Sequence, residues 1–425
     1  MTCYASSERD AALAESAVLN EIERLRVVLS TYDPASEIAR LNSSEGLFHC
    51  STDLFKVLSS YDRWNRKTSG AISMLLGNAD ETIRLNYGNR SVLRSRSAVL
   101  NVDALGKAYV IEKAISIARQ AAQGINGIVL NIGGDLAIDC REPQRIGIAN
   151  PANPYENSAP LGCVLLTTAA IATSGDYERR RRIGGRSYSH IIDPRIGAPA
   201  KGPCGATVIA PNSITANALA TALCILAPEE GLSLAARTPD AECLLVARDG
   251  REFRSVGFSN YELPPLIRAS ASDGWPQGYA LVITLTIKVP ERRSLRRPYV
   301  AVWAEDSAGR CVRTIALWSS VRNKWLPDLH AWYAANRHPQ ADSVSRATRP
   351  PGRYRLNWDG LDENGHPVPA GSYRITVEVN QQDGDYNRQS ANILCGGTRS
   401  AAINLNETSQ FEVVNIEYGR QGDKA

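Results

Sequence analysis

No two cysteines in this chain stand at CxxC spacing, although nine are scattered between Cys3 and Cys395. Their odd number, and their place in apolar runs such as Ala222-Leu223-Cys224-Ile225-Leu226, argue against a zinc site or a disulfide framework. They read as small buried hydrophobes. No apolar run approaches the roughly 18 residues of a membrane-spanning helix. The start, Met1-Thr2-Cys3-Tyr4-Ala5-Ser6-Ser7-Glu8-Arg9-Asp10, lacks the basic and apolar segments of a secretory leader. Such a start is expected of a cytoplasmic protein, or of one whose upstream export segment is omitted. An excess of one charge is also lacking: 48 basic residues face 44 acidic ones, a net +4. A general nucleic-acid binder would need a concentrated basic patch, and one cluster alone stands out, Arg179-Arg180-Arg181-Arg182 with Arg186 close behind. Internal repeats and low-complexity tracts are absent.

What is present is ordinary globular composition, 43% hydrophobic and 22% charged, in 425 residues. That length exceeds one compact core and implies two or three domains. Residues 8–30 have helical spacing, with Val18, Ile22, Leu25 and Leu29 on one face. A second helix is expected over 52–66, and 79–100 shows no clear period. Val99–Val102 reads as a short strand before a helix from Ala104 to about Ala122. Strands are expected at 127–130, 145–149, 163–167, 205–210 and 242–247, with helices over 214–226 and 229–237. This mixed order indicates an α+β domain over 1–262. Pro264, Pro265, Gly274, Pro276 and Gly278 mark 263–278 as a linker. Beyond it, period-two runs such as Tyr279–Ile287, Val312–Trp318 and Tyr373–Val379 alternate with turn signals, predicting an all-β sandwich over 279–425.

The chemistry-bearing residues gather in the first domain. Thr173-Ser174-Gly175-Asp176-Tyr177 precedes Ser189-His190-Ile191-Ile192-Asp193-Pro194-Arg195-Ile196-Gly197, joining small hydroxyls, glycines, a carboxylate and an imidazole. A polyanionic ligand could be held there by backbone N–H groups. Among five histidines, His190 alone sits in such company; Asp193 or Asp176 could orient it as a general base, or it merely bonds a loop. Lys107 opens a helix, where an ammonium and free N–H groups suit phosphate, though first-turn lysines are commonly just solvated. Asn217 and Thr221, four apart in an apolar helix, point to one side and need partners. A hard cation would serve, as would an interhelical hydrogen bond. Gly133-Gly134-Asp135 allows close backbone approach and equally suits an ordinary β-turn.

Taken with Ser30–Asn42, Ala104–Tyr109, Asn131–Asp135 and Thr215–Leu223, these stretches are similar in order and spacing to the ApbE family, the FAD:protein FMN transferases, over about residues 15–245. The resemblance implies cleavage of FAD, with Mg²⁺, and transfer of FMN to a threonine hydroxyl of an acceptor protein, with release of AMP. It implies catalytic roles for His190 and Lys107. It also implies flavin-nucleotide contacts from Tyr32, Ala71, Asn101, Lys107, Thr173, Gly175 and His190, and a metal held by the Ala104 carbonyl, Asn217 and Thr221. Exported, periplasmic or membrane-anchored placement comes with the family. Asn217 stands where the family usually has a metal-binding aspartate, Asn101 where an aspartate opens the lysine motif, and Ala108 where glycine is usual. Ile72 and Ser73 replace the usual Phe and Asp after Ser69-Gly70-Ala71. The first family strand is expected to be missing before residue 8.

The C-terminal part resembles an uncharacterised module fused behind such transferases. Trp358–Gly365 with Pro369–Tyr373 is similar to immunoglobulin-like repeats of flagellar hook-cap proteins. Asp342-Ser343-Val344-Ser345-Arg346-Ala347-Thr348 looks like the acceptor signature of FMN-carrying proteins, with Arg346 in place of glycine, which makes Thr348 a candidate FMN acceptor in the same chain. A polar hairpin loop before Pro350-Pro351 is the plainer account. Against the enzyme stands a different class: a catalytically impaired FAD-binding protein whose β-domain binds partners.

Overall fold

The computed structural model describes residues 1–75, 82–95, 97–151, 155, 157–158, 160–175, 181–183, 186–189, 191–263, 274–289, 297–319, 326–335, 345–381 and 385–421. The chain divides into two units, Met1–Ala152 with Pro160–Pro265, and Asn153–Ala159 with Leu266–Ala425.

In the first unit the helices start where side chains can cap them. Ser7, Ser36 and Ser51 accept the N–H three residues on, opening α1 (Glu8–Leu29), α2 (Glu37–Ser43) and α3 (Thr52–Lys67). Next come α4 (Asp103–Ala121), α5 (Ser213–Leu223) and α6 (Pro228–Ala236). A seven-stranded antiparallel sheet runs in the order Thr2–Ala5, Ile125–Ile132, Asp135–Ile148, Gly162–Gly175, Gly205–Ala210, Glu242–Val246 and Glu252–Arg254. Period-two alternation assigns its two faces. Ala170, Ala172, Ala206, Val208 and Ala210 join the core with Leu25, Leu54, Leu105 and Leu219 of the helices. Ile171, Ile209, Leu244 and Phe258 share a core on the other face. Helices gathered on one face of an antiparallel sheet make this unit α+β.

Three sequence expectations change. A strand does lie before residue 8: Thr2–Ala5 pairs antiparallel with Ile125–Ile132, Thr2 opposite Val129. Val99–Val102 is not a strand. Leu100 makes an isolated bridge to Leu75 and Val102 is the N-cap residue of α4, their apolar character serving burial instead. The unassigned 79–100 region holds Ile83–Asn86 and Ser91–Arg94, which form a three-stranded sheet with Leu47–His49. There the Arg94 guanidinium is buried and donates to the carbonyls of Leu41, Asn42, Ser44, Ser95 and Ala98, tying down the end of α2.

The second unit is β-rich. One sheet orders Gly352–Trp358, Tyr279–Ile287, Val414–Arg420 and Ala401–Leu405; the other orders Ser345–Ala347, Cys311–Ser319, Tyr299–Glu305, Gly371–Asn380 and Tyr386–Cys395. Leu281, Ile283 and Ile416 of the first sheet share one core with Val300, Val302 and Ile375 of the second. Trp275, within the stretch read as a linker, packs edge-on against Trp358 and Tyr418; residues 264–273 of that stretch lie outside the described residues. A short helix, α7 (His330–Ala335), is capped by the fully buried Glu378, which accepts the N–H groups of Ala331 and Trp332. Among the described residues no helix is long and apolar enough to cross a membrane. The nine cysteines are free thiols, six of them buried.

Candidate functional site

Helices α1, α3, α4 and α5 and the end of the strand Gly162–Gly175 line a cleft of about 780 Å³ in the first unit. α4 contributes Ala104 and Lys107, α5 contributes Asn217 and Thr221, and the end of strand Gly162–Gly175 contributes Thr173, Ser174 and Gly175. Tyr32, Ala71 and Asn101 also line it. The structure thus gathers these expected residues from positions 32 to 221. Of the others, His190 and Asp176 lie outside the described residues. Thr348 is half-buried in the second unit, just after strand Ser345–Ala347, which pairs parallel with Cys311–Ser319. Residues 342–344 of the acceptor-like stretch lie outside the described residues, as do 179–180 of the arginine run.

The start of α4 corrects one expectation. Two of its first-turn N–H groups, those of Asp103 and Leu105, are already engaged. The Asn101 Oδ1 accepts the Asp103 N–H at 2.9 Å, and the Tyr61 hydroxyl accepts the Leu105 N–H at 3.2 Å. Asn101 also donates to the Asp103 carboxylate, which Thr31 engages at 2.7 Å. Both ends of the Asn101 amide are therefore spent on the helix start. Tyr61 is buried, and that burial pushes its phenol well above the usual range, keeping it neutral. α4 also places the Lys107 ammonium on the cleft.

Lys107 Nζ lies 2.8 Å from Asp135 Oδ2 and 3.4 Å from the Gly133 carbonyl. Asp135 is placed by a two-residue hairpin. Ile132 pairs with Asp135 across Gly133 and Gly134, whose φ values of +60° and +91° suit a primed turn. Its carboxylate, 3% exposed, also accepts from Asn217 Nδ2 at 2.7 Å. Asn217 Oδ1 is buried with no partner among the described residues. The Thr221 hydroxyl lies 3.3 Å from that of Ser174. An orphaned amide oxygen, a hydroxyl one helical turn on and the nearby Ala104 are neutral oxygen donors of the kind a hard divalent cation takes. The residues present fit such an ion. No cluster of three or more His, Cys, Asp and Glu able to hold a metal occurs among the described residues.

Three residues that sequence reasoning did not assign complete the arrangement. Asp135 joins Lys107 to Asn217; the Gly-Gly-Asp motif was its one sequence signal. Tyr61 carried none beyond a helical position. Glu112 of α4 accepts the Ile214 N–H at 2.9 Å, which clamps α4 to the start of α5, where Asn212 caps Thr215 at 2.8 Å. Desolvation raises the Glu112 carboxyl above its usual range, against the pull of the N–H groups of Ile214 and Ser213. Asp193 is held below the ordinary carboxylate range chiefly by Arg195, whose guanidinium and N–H engage both its oxygens.

A cleft of about 780 Å³ that carries the Lys107 ammonium and the Asn217 amide, with the buried Asp135 carboxylate behind them, has the dimensions of a small-molecule site. The match to the ApbE family model spans residues 1–91 and 78–245, more than half of the chain, and the chain belongs to the ApbE family. Residues 280–412 match a second family, described as predicted periplasmic protein (DUF2271). A FAD:protein FMN transferase of Rhodobacter capsulatus is 31% identical over 191 residues, which are 44% of this chain and 36% of that relative. The chain thus spans about a third of that relative's length. The FAD:protein FMN transferase of Haemophilus influenzae is 26% identical, over 52% of this chain and 75% of its own length. In fold, the ApbE protein of Thermotoga maritima superposes with a TM-score of 0.55 at 23% identity, covering 62% of this chain and 95% of its own. The Pseudomonas stutzeri flavinyl transferase ApbE gives 0.52 at 22%, covering 60% and 89%.

Proposed function

We propose that the first unit binds FAD in this cleft and transfers its FMN half to a threonine hydroxyl of a protein acceptor, with Mg²⁺, releasing AMP. The carrying observation is the orphaned Asn217 Oδ1 and the Lys107 ammonium lining one cleft of about 780 Å³, within the usual range for small-molecule sites of roughly 300–1,000 Å³. Relatives named FAD:protein FMN transferase support the same reading. In the reaction the acceptor oxygen bonds to the flavin-side phosphorus as the pyrophosphate P–O bond to AMP breaks. The hydroxyl proton passes to a base, for which His190 is the proposed residue. Lys107 supplies positive charge for the phosphates, and Tyr32, 89% exposed at the cleft, offers a ring face to a planar heterocycle. Asn217, Thr221 and the Ala104 carbonyl would hold the Mg²⁺, which when bound supplies charge neutralisation on the pyrophosphate oxygens.

The two facing sheets of the second unit support an immunoglobulin-like sandwich that contacts the acceptor or carries it as Thr348. The description of its family supports a periplasmic location. Incubation with FAD and Mg²⁺ tests the function: AMP appears, and intact mass shows FMN on an acceptor or on this chain, in the latter case lost in Thr348→Ala. The second reading, an FAD-binding protein without turnover, draws on the amide at 217 where a carboxylate is usual. FAD binding with neither AMP nor FMN adduct establishes it and ends the first.

A further inference from the structure

Asp135 does more than pair with Lys107. A carboxylate only accepts hydrogen bonds, so the Asn217 amide must turn its NH₂ group toward Asp135. Oδ1 then faces away, and it is the atom left buried without a partner. Flipping the amide would set two oxygens against each other and leave Nδ2 without this acceptor. Resting on the reading of Asn217 as a cation ligand, we propose that Asp135 is a positioning residue: it fixes the orientation in which Asn217 presents Oδ1, and it carries the one negative charge of the pair.

The asparagine at 217 is on this account matched to Asp135 rather than a damaged aspartate. Asn217→Asp would bring a second carboxylate to hydrogen-bond distance of the first, which has one ammonium beside it, and like charges at that range repel. Exchanging the pair, Asp135→Asn with Asn217→Asp, restores one acceptor and one amide donor beside Lys107.

Melting of the metal-free protein compares the wild type, both single variants and the exchanged pair at one pH. Each single variant melts lower than the wild type, and the exchanged pair recovers part of their summed loss, because the two sites are coupled. A wild-type melting temperature in Asn217→Asp, or a strictly additive double variant, overturns the proposal. A separate readout tells positioning from mere support. In Asp135→Asn the Mg²⁺ concentration for half-maximal thermal stabilisation rises about 10-fold to 100-fold, as for lost second-layer partners, and falls back in the exchanged pair; an unchanged Mg²⁺ response in Asp135→Asn also overturns it. If the wild type neither binds FAD nor responds to Mg²⁺, the transferase reading fails, while the metal-free melting comparison still decides this one.

Discussion

Glu112 is where the two ligand-bearing helices can be uncoupled by one substitution. Its carboxylate on α4 accepts the Ile214 N–H at 2.9 Å, one of the N–H groups that a helix start leaves without an intrahelical partner. A hydrogen bond to a neutral acceptor contributes about 0.5–1.5 kcal/mol, and losing this one leaves the Ile214 N–H unpaired, so the upper figure of about 1.5 kcal/mol applies to Glu112→Ala while the carboxyl is protonated. For a unit of this size that corresponds to a fall of roughly 3–6 °C in melting temperature. pH then separates the hydrogen bond from the charge. Burial raises the Glu112 carboxyl in the folded state, above its unfolded value of about 4.3. The stability this group contributes is fully present below the unfolded pKa and is lost as pH rises through the folded one. Glu112→Gln keeps an acceptor and cannot ionise, so it gains on the wild type as pH rises through that window, whereas Glu112→Ala stays low. Scanning calorimetry across that window reads the first unit's transition in all three proteins. Equal losses for Gln and Ala at every pH, or no loss for Ala, would refute the account of Glu112 as the clamp between α4 and α5.

Arg94→Met should cost the first unit about 3–4 kcal/mol, because the carbonyls of Leu41 and Ser44 at the end of α2 and that of Ala98 lose their donor; urea unfolding within about 1 kcal/mol of wild type would contradict this. Glu378→Ala in the second unit removes the acceptor for Ala331, Trp332 and the Tyr386 hydroxyl, an expected loss of about 2–3 kcal/mol, measurable by tryptophan fluorescence in a denaturant titration. Burial pushes the thiols of Cys50 and Cys395 up to about 12 and that of Cys243 up to about 11. Native protein treated with a thiol reagent at pH 8 should therefore leave these three unlabelled by mass spectrometry until it is denatured.

Local signals carried much of the fold. The spacing of Val18, Leu25 and Leu29 marks α1 well, since those side chains are buried. The strand expected at 145–149 is the tail of Asp135–Ile148, whose exposed Arg141, Glu142 and Arg145 conceal the alternation. Thr2–Ala5 escaped notice because a four-residue strand is specified by its partner, not by its own pattern. At the site, residue types were legible while their pairings were not. Asp135 reaches Lys107 and Asn217 across 28 and 82 positions, and only the fold decides which of two acids and amides meet. Asn101 lines the cleft as expected, yet its amide serves the start of α4 through Asp103, a contact two residues away that competes with any ligand.

The hairpin at Gly133-Gly134 bears on how a saturation-mutagenesis map of this protein would have to be interpreted. Gly134, at φ +91°, has open space around it, yet nearly every replacement would be penalised by backbone strain. Gly133, at φ +60°, lies in a region that asparagine and aspartate also visit, with 3.7 Å to Lys107 for an added Cβ. Intolerance at 134 paired with partial acceptance of Asn at 133 would thus reveal a geometric demand of the loop, and a screen scored on activity alone would misattribute it to ligand recognition.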